Sequence, residues 1–202
     1  MSTNSLGRSP EQLILVVDLE ATCCDRGSIP DGEMEIIEIG ACWAYMDGTV
    51  VDRFECLVRP TLHPLLTPFC QELLGLDQRD VDGADTLSTV VLKFGEFVSP
   101  RRDHAVAWGS WGAFDRNQMS RECQRLGLAD PIQLPHQNLK QRFAKARRIG
   151  KQVGMRKALE LVGLMAEGLH HRALDDACNV ARLLPWLVHA ATCRQALDGP
   201  SG

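Results

Sequence analysis

The feature that most constrains this chain is an unbroken aliphatic run near its start, residues 13–19 (LILVVDL), which ends among carboxylates. A continuous apolar run of this length predicts a strand that is buried on both faces of a sheet. Because residues two apart in a strand point to the same side, Asp18 and Glu20 leave one face together. Carboxylates so close at a buried strand end repel each other unless a cation neutralises them, although acids also commonly end strands at a surface.

The rest of the chain alternates strand and helix signals. Residues 35–46 and 49–58 read as two strands joined by a turn at Asp47-Gly48, and 104–108 as a further strand that enters a loop over 109–112. Helices are predicted over 69–74, 86–98, 114–126 (closed by Gly127), within the basic stretch 136–157, over 155–161, and from near 173 onward. This order predicts an α/β fold in which a mixed sheet carries helices on its faces. We expect one domain over residues 11–192, between tails at 1–10 and 193–202.

Three more candidate residues stand at helix starts. Asp115 follows the segment WGSWGAF, and His171 precedes Asp176 by five residues at the head of the last helix. Acids in the first turn of a helix are also favoured simply by the helix dipole. His170 stands beside His171, and composition alone does not separate the two histidines.

The charge of the chain is distributed unevenly. Eight basic residues and no acids lie between residues 136 and 157, although the whole chain has a formal net charge of −4. A solvated helix face explains most charge runs, but the absence of acids over 22 residues favours a surface that faces phosphates. Lys145, Arg147 and Arg148 are the candidates for contact with a nucleic-acid backbone.

Targeting and cysteine patterns predict a cytoplasmic protein. No apolar run approaches the ~18–20 residues that span a bilayer, so no membrane partner is expected. The first ten residues lack the order of a signal peptide. Eight cysteines are present without any C-x-x-C pair, which favours free, buried thiols in a reducing compartment.

Taken in order, the motifs VVDLEAT, WGSWGAFDRNQ and HRALDDACNVA resemble those of the DEDDh exonucleases, the DnaQ-like branch of the RNase H-fold nucleases. The resemblance spans about residues 12–190. The segments DLEATC, EIIEIGA, FCQELLGLDQRDVDGADT and GLHHRALDDACNVAR are most similar to the subgroup of histone-mRNA 3′ exonucleases and sporulation-inhibitor-like bacterial exonucleases. The resemblance implies an RNase H-like fold and a 3′–5′ exonuclease that releases nucleoside 5′-monophosphates.

The resemblance also implies the roles of the catalytic residues. Asp18, Glu20 and Asp176 would hold one Mg²⁺ or Mn²⁺, and Asp18 with Asp115 a second. His171 would act as the general base with an ordinary pKa near ~6.5, which leaves His170 a flanking role.

Substrate contacts are expected from residues close to these motifs. Ala21 and Thr22 would touch the terminal nucleotide by backbone and hydroxyl. Leu74 and Leu76, which stand where the subgroup has a Thr-Gly-Ile wedge, would pack on its base or else belong to the core. Trp111 would stack on a base or likewise belong to the core.

The expected partner is the 3′ end of a single-stranded nucleic acid, with RNA favoured by the subgroup alone. A DNA 3′ exonuclease of the same fold is the alternative, as is a nucleic-acid-binding regulatory protein that retains the fold. Glu35 and Glu38, in contrast, are expected to bond within the hairpin or to face solvent.

Overall fold

The computed structural model of the protein describes residues 12–187, and one mixed sheet runs through its centre. The strand order is β3-β2-β1-β4-β5. The first three strands are antiparallel, β4 lies parallel to β1, and β5 lies parallel to β4. The strands are β1 (Leu13–Ala21), β2 (Ile36–Tyr45), β3 (Val50–Leu57), β4 (Ala105–Ser110) and β5 (His136–Asn138). The mixed α/β sheet of the prediction is thereby confirmed, whereas the predicted tails at 1–10 and 193–202 lie outside the described residues.

Helices pack on both faces of this sheet. They are α1 (Pro68–Leu74), α2 (Gln78–Asp82), α3 (Leu87–Arg102), α4 (Phe114–Leu126), α5 (Leu139–Arg147), α6 (Met155–Leu161) and α7 (Ala173–Ala181). Short 3₁₀ turns occupy Asp31–Glu33 and Leu184–Leu187. The bounds of α4 and α6 agree with those predicted, and α4 ends at Gly127, whose φ of 66° is the left-handed conformation that closes many helices.

The structure differs from the sequence prediction in several elements, among them α3, which continues past the predicted end at residue 98 to Arg102. The predicted loop over 109–112 is wrong at its start, because Gly109 and Ser110 belong to β4 and pair with β5. The strand β5 is not predicted, because it is short and polar and so has no apolar pattern. The helix α2 was also not predicted, although Asp77 and Asp80 form a capping box at its start.

The two faces of β1 divide the core. Leu15 and Val17 point into a cluster built with α3 and α4, whereas Ile14 and Val16 point into a second cluster with α5, α6 and α7. The alternation places the side chains at even positions on the face that α7 covers. The acids at positions 18 and 20 continue that second face, so the fold directs them toward α7.

The described residues also bear on the targeting and cysteine predictions. No helix between residues 12 and 187 is long and apolar enough to cross a membrane. The seven cysteines of this part of the chain are free; three are buried and four are partly buried. The eighth, Cys193, lies outside the described residues.

Candidate active site

Three carboxylates meet where β1 ends. Asp18 and Glu20 are half-buried on one face of the strand, and Asp176 is 7% exposed in the first turn of α7. Each offers an oxygen, and these oxygens lie within 4.8 Å of one another. The structure therefore brings together residues that are up to 158 positions apart in the sequence.

Asp115 reaches the same strand from helix α4. It is the second residue of α4 and is 6% exposed. Its Oδ1 accepts a hydrogen bond of 3.0 Å from the backbone N–H of Leu19, the residue between Asp18 and Glu20. This contact fixes the start of α4 against the backbone that carries the other acids.

The electrostatics of this cluster favour the binding of cations. Burial raises the pKa of Asp18 well above its usual value, and the charges of Asp115, Glu20 and Asp176 raise it further. Burial and then Asp176 raise the pKa of Glu20 to about 9. Without a compensating positive charge, Glu20 therefore favours its protonated form at neutral pH.

The donor set fits divalent metal ions. All four acids offer carboxylate oxygens, the ligands that hard cations such as Mg²⁺ and Mn²⁺ prefer. Positive charge at this point would remove the repulsion that raises the pKa of Asp18 and Glu20. Asp18, Glu20 and Asp176 are placed to share one cation, and Asp115 lies close enough to Asp18 to perturb its pKa.

The two histidines lie at the edge of the cluster. Nδ1 of His171 is 3.8 Å from Glu20 Oε1, and Nδ1 of His170 is 3.1 Å from Asp176 Oδ2. The two imidazole rings stack, with centroids 3.9 Å apart. Burial and the neighbouring His170 lower the pKa of His171, so the expectation of an ordinary pKa is wrong. The shift favours the neutral imidazole that a general base requires.

Three of the residues predicted to contact the substrate are buried in this structure. Thr22 is fully buried, and its hydroxyl accepts a hydrogen bond of 2.9 Å from the backbone N–H of Glu35. Leu74 and Leu76 are 3% and 4% exposed and pack in a cluster with Ile37. Contact of these three residues with the nucleotide stays a prediction, and the alternative that Leu74 and Leu76 belong to the core agrees with their burial.

The other predicted contacts fall in different surroundings. Ala21 is 6% exposed at the end of β1. The indole of Trp111 packs against Phe143, with ring centroids 5.7 Å apart, and donates a hydrogen bond of 3.0 Å to the carbonyl of Val153. Base stacking by Trp111 stays a prediction. On and just after α5, the predicted phosphate contacts are solvent-exposed; they are Lys145, Arg147 and Arg148.

The sequence analysis did not identify the exposed apolar side chains of α1 and of the start of α4. Phe69 and Leu73 of α1 are 39% and 38% exposed, and Phe114, which precedes Asp115, is 46% exposed. In α1 the exposed pair is four residues apart, as is the buried pair Cys70 and Leu74. Helical spacing thus showed two faces of α1, but the sequence did not indicate which of them faces the core.

Glu35 and Glu38 were also assigned wrongly, because both are buried and have partners far along the chain. Glu35 accepts hydrogen bonds from the backbone of residues 61–63, and Glu38 pairs with Arg172. Neither contact lies within the hairpin. Buried carboxylates that are bonded in this way fix the loops they hold.

Comparison with known proteins identifies similar molecules. The family model RNase_T, described as "Exonuclease", matches residues 15–184. The chain is 29% identical over 184 residues to the "Probable 3'-5' exonuclease KapD" of Bacillus subtilis (strain 168), with coverage of 91% of this chain and 84% of that protein.

Two solved structures are similar in fold and sequence. One is the nuclease domain of 3'hExo, a DEDDh family member, bound to rAMP, with a TM-score of 0.75, 26% identity, and coverage of 92% of this chain and 93% of that one. The other is described as "3'-end specific recognition of histone mRNA stem-loop by 3'-exonuclease". It gives a TM-score of 0.74 and 25% identity, with coverage of 94% of this chain and 84% of that one.

Proposed function

This chain belongs to the exonuclease family of the RNase_T model, and from this membership we propose that it is a metal-dependent 3′–5′ exonuclease that acts on single-stranded RNA. The observation that carries the proposal is the cluster of Asp18, Glu20 and Asp176 oxygens within 4.8 Å of one another. Binding of nucleic acid alone requires no such cluster, because carboxylates repel phosphates. The free-energy cost of holding these carboxylates together is explained if they bind cations for hydrolysis.

Each residue of the site has a part in the reaction. Mg²⁺ or Mn²⁺, when bound by the four acids, supplies positive charge that offsets the negative charge developing on the phosphate. His171 takes a proton from the attacking water as the new O–P bond forms. The bond from phosphorus to the 3′ oxygen breaks, and that oxygen takes a proton from solvent water. A nucleoside 5′-monophosphate is released, and the shortened strand ends in a 3′-hydroxyl. Asp115 holds the start of α4 to the backbone of Leu19 and so fixes α4 against the strand that carries Asp18 and Glu20.

The surface around the acids supplies contacts for the end of a strand. The exposed apolar side chains of Phe69 and Leu73 in α1 and of Phe114 beside Asp115 are candidates on which a terminal base packs. The exposed basic residues on and after α5 supply charge for the phosphates of the strand.

The preference for RNA is supported by similarity. A solved structure with 26% identity is that of a nuclease domain bound to rAMP, and another with 25% identity concerns recognition of a histone mRNA. The name of the Bacillus relative supports the 3′–5′ direction.

The proposal is tested with 5′-labelled single strands of RNA and DNA of one sequence, in Mg²⁺ or Mn²⁺ and with an Asp18→Asn variant as the inactive control. We expect RNA to shorten from its 3′ end one nucleotide at a time. Faster loss of the DNA strand would make the protein a DNA exonuclease. Tight binding without any degradation would make it a regulatory protein. Cleavage of a circular single strand would show an endonuclease.

A further inference from the structure

The start of α7 lies on the strand that is paired with the catalytic strand. In the β1–β2 register Asp18 is opposite Gly40, and Glu20 is opposite Glu38. Residues that are directly opposite in antiparallel strands share a face. The two β2 positions beside the acids are therefore the ones that face α7.

Glu38 binds the first residues of α7 through its fully buried carboxylate. Nε and Nη2 of Arg172 donate hydrogen bonds of 3.1 and 2.9 Å to Glu38 Oε1, and the N–H of Ala173 donates one of 3.3 Å to Oε2. Arg172 is the N-cap residue of α7, and its own side chain makes no capping hydrogen bond. Glu38 thus supplies from the sheet the acceptor that the helix start lacks. Nη2 of Arg172 also donates to Glu55 of β3 at 2.9 Å.

His171 directly precedes this ion pair and has an unusual backbone conformation. Its φ is +63°, a value that residues with a Cβ adopt only when their surroundings impose it. On one side, its N–H donates a hydrogen bond of 3.2 Å to Asp176 Oδ2. On the other side, the next residue, Arg172, is held by Glu38. The peptide that aims the imidazole at Glu20 is therefore fixed at both ends.

We propose that Arg172 and Glu38 are positioning residues, which hold His171 in the left-handed conformation that directs its imidazole toward Glu20. They act on the reaction through His171 and do not contact the substrate. This inference rests on the proposed function, in which His171 takes the proton from water. It assigns a catalytic consequence to an ion pair that would otherwise only stabilise the fold.

The test is a double-mutant cycle that includes His171. Removing one partner alone would leave a buried charge unpaired and endanger folding, so the main variant replaces both, Arg172→Met with Glu38→Gln. We expect kcat on single-stranded RNA to fall at least about tenfold with KM within about twofold, since a misplaced base loses rate and not affinity. Arg172→Lys, which retains the charge, should keep part of the rate.

The same double replacement is then made in a His171→Ala background and measured under single turnover. If the ion pair acts through His171, the double replacement should change the rate of the His171→Ala protein by less than about twofold. The effects of residues that act as one unit are not additive. Equal fold losses in the two backgrounds, or a rise in KM with kcat unchanged, would overturn the proposal.

A matched control is available at the other end of α7. Arg182 pairs with Glu167 at 2.9 Å, and the carboxylate of Glu167 is exposed, so Arg182→Met with Glu167→Gln removes a second, more exposed ion pair of the same helix. Its kcat should stay within about twofold of the wild type. An equal loss of kcat in this control would show that the loss at Arg172 comes from general destabilisation, and it would overturn the proposal. An inactive wild type would instead show that the proposed function is wrong.

Discussion

The substitution Gly40→Ala should separate the acids of the proposed active site from one another. The first turn of α7 passes so close to β2 that a Cβ at position 40 would lie 2.0 Å from the carbonyl carbon of Ala173 and 2.0 Å from the amide nitrogen of Leu174. These are backbone atoms, which cannot rotate away as a side chain can. Since ordinary contact begins at 3.4 Å, the start of α7 must retreat by roughly 1.4 Å.

This retreat predicts a large loss of rate and a smaller loss of stability. Asp176 and His171 move with the start of α7, whereas Asp18 and Glu20 stay on β1. A misplacement of about 1 Å in a catalytic group costs on the order of 10²-fold in rate, so kcat should fall by about that factor. Overpacking costs roughly 1–3 kcal/mol, and Tm should fall by roughly 2–4 °C for each kcal/mol in a protein of this size.

Single-turnover degradation of 5′-labelled RNA measures the rate, and thermal unfolding followed by circular dichroism measures the stability. Gly95→Ala is the control, because a Cβ at that position in α3 would have its nearest neighbour 3.9 Å away. That variant should keep its rate and gain about 0.5–1 kcal/mol, as alanine does over glycine within a helix. A folded Gly40→Ala protein with the kcat of the wild type would refute the reasoning, because it would show that the site tolerates movement of α7.

Other expected outcomes concern the cations, the base and the basic surface. EDTA should abolish activity, Mg²⁺ or Mn²⁺ should restore it, and the cation should raise Tm because it binds the native state; full activity in excess chelator would contradict a metal-dependent reaction. His171→Ala should lower kcat by ~10²-fold or more and His170→Ala by much less, measured as steady-state rates; equal losses would mean that the base is misassigned. Replacement of Lys145, Arg147 and Arg148 by alanine should raise KM and flatten its salt dependence with kcat nearly unchanged. A loss of kcat at saturating RNA would instead place these residues at the reacting phosphate.

Features with a local physical cause could be predicted from the sequence. The hairpin between β2 and β3 follows from Asp47-Gly48, where Gly48 has a φ of 91° and Asp47 accepts a hydrogen bond of 2.8 Å from the N–H of Thr49. The helix α4 ends at Gly127 for a similar reason. The acids at positions 18 and 20 could be assigned to one face because strand periodicity depends only on the chain itself.

Features that depend on distant partners could not be predicted in this way. Glu38 appears in the sequence as an acid in a hairpin, and its burial depends on Arg172, which is 134 residues away. In α1, spacing defines two faces but not which one packs on the sheet, and so the sequence leaves open whether Leu74 meets the substrate or the core and does not indicate that Leu73 is exposed. The lowered pKa of His171 likewise arises from burial and from a neighbouring ring that only the fold brings into contact with it.

The acids of this site are held together by the apolar residues around them and not by attraction to one another. Burial and, after it, the charges of neighbouring acids raise the pKa of Asp18 and Glu20, so holding these carboxylates charged and close together costs free energy. On one side of β1, Ile14 and Val16 pack beneath α7, and on the other side α4 is bonded to the backbone of Leu19. Burial of the large apolar side chains of this core contributes about 1.5–3 kcal/mol for each, which opposes this cost. The carboxylates are therefore brought together by the fold itself.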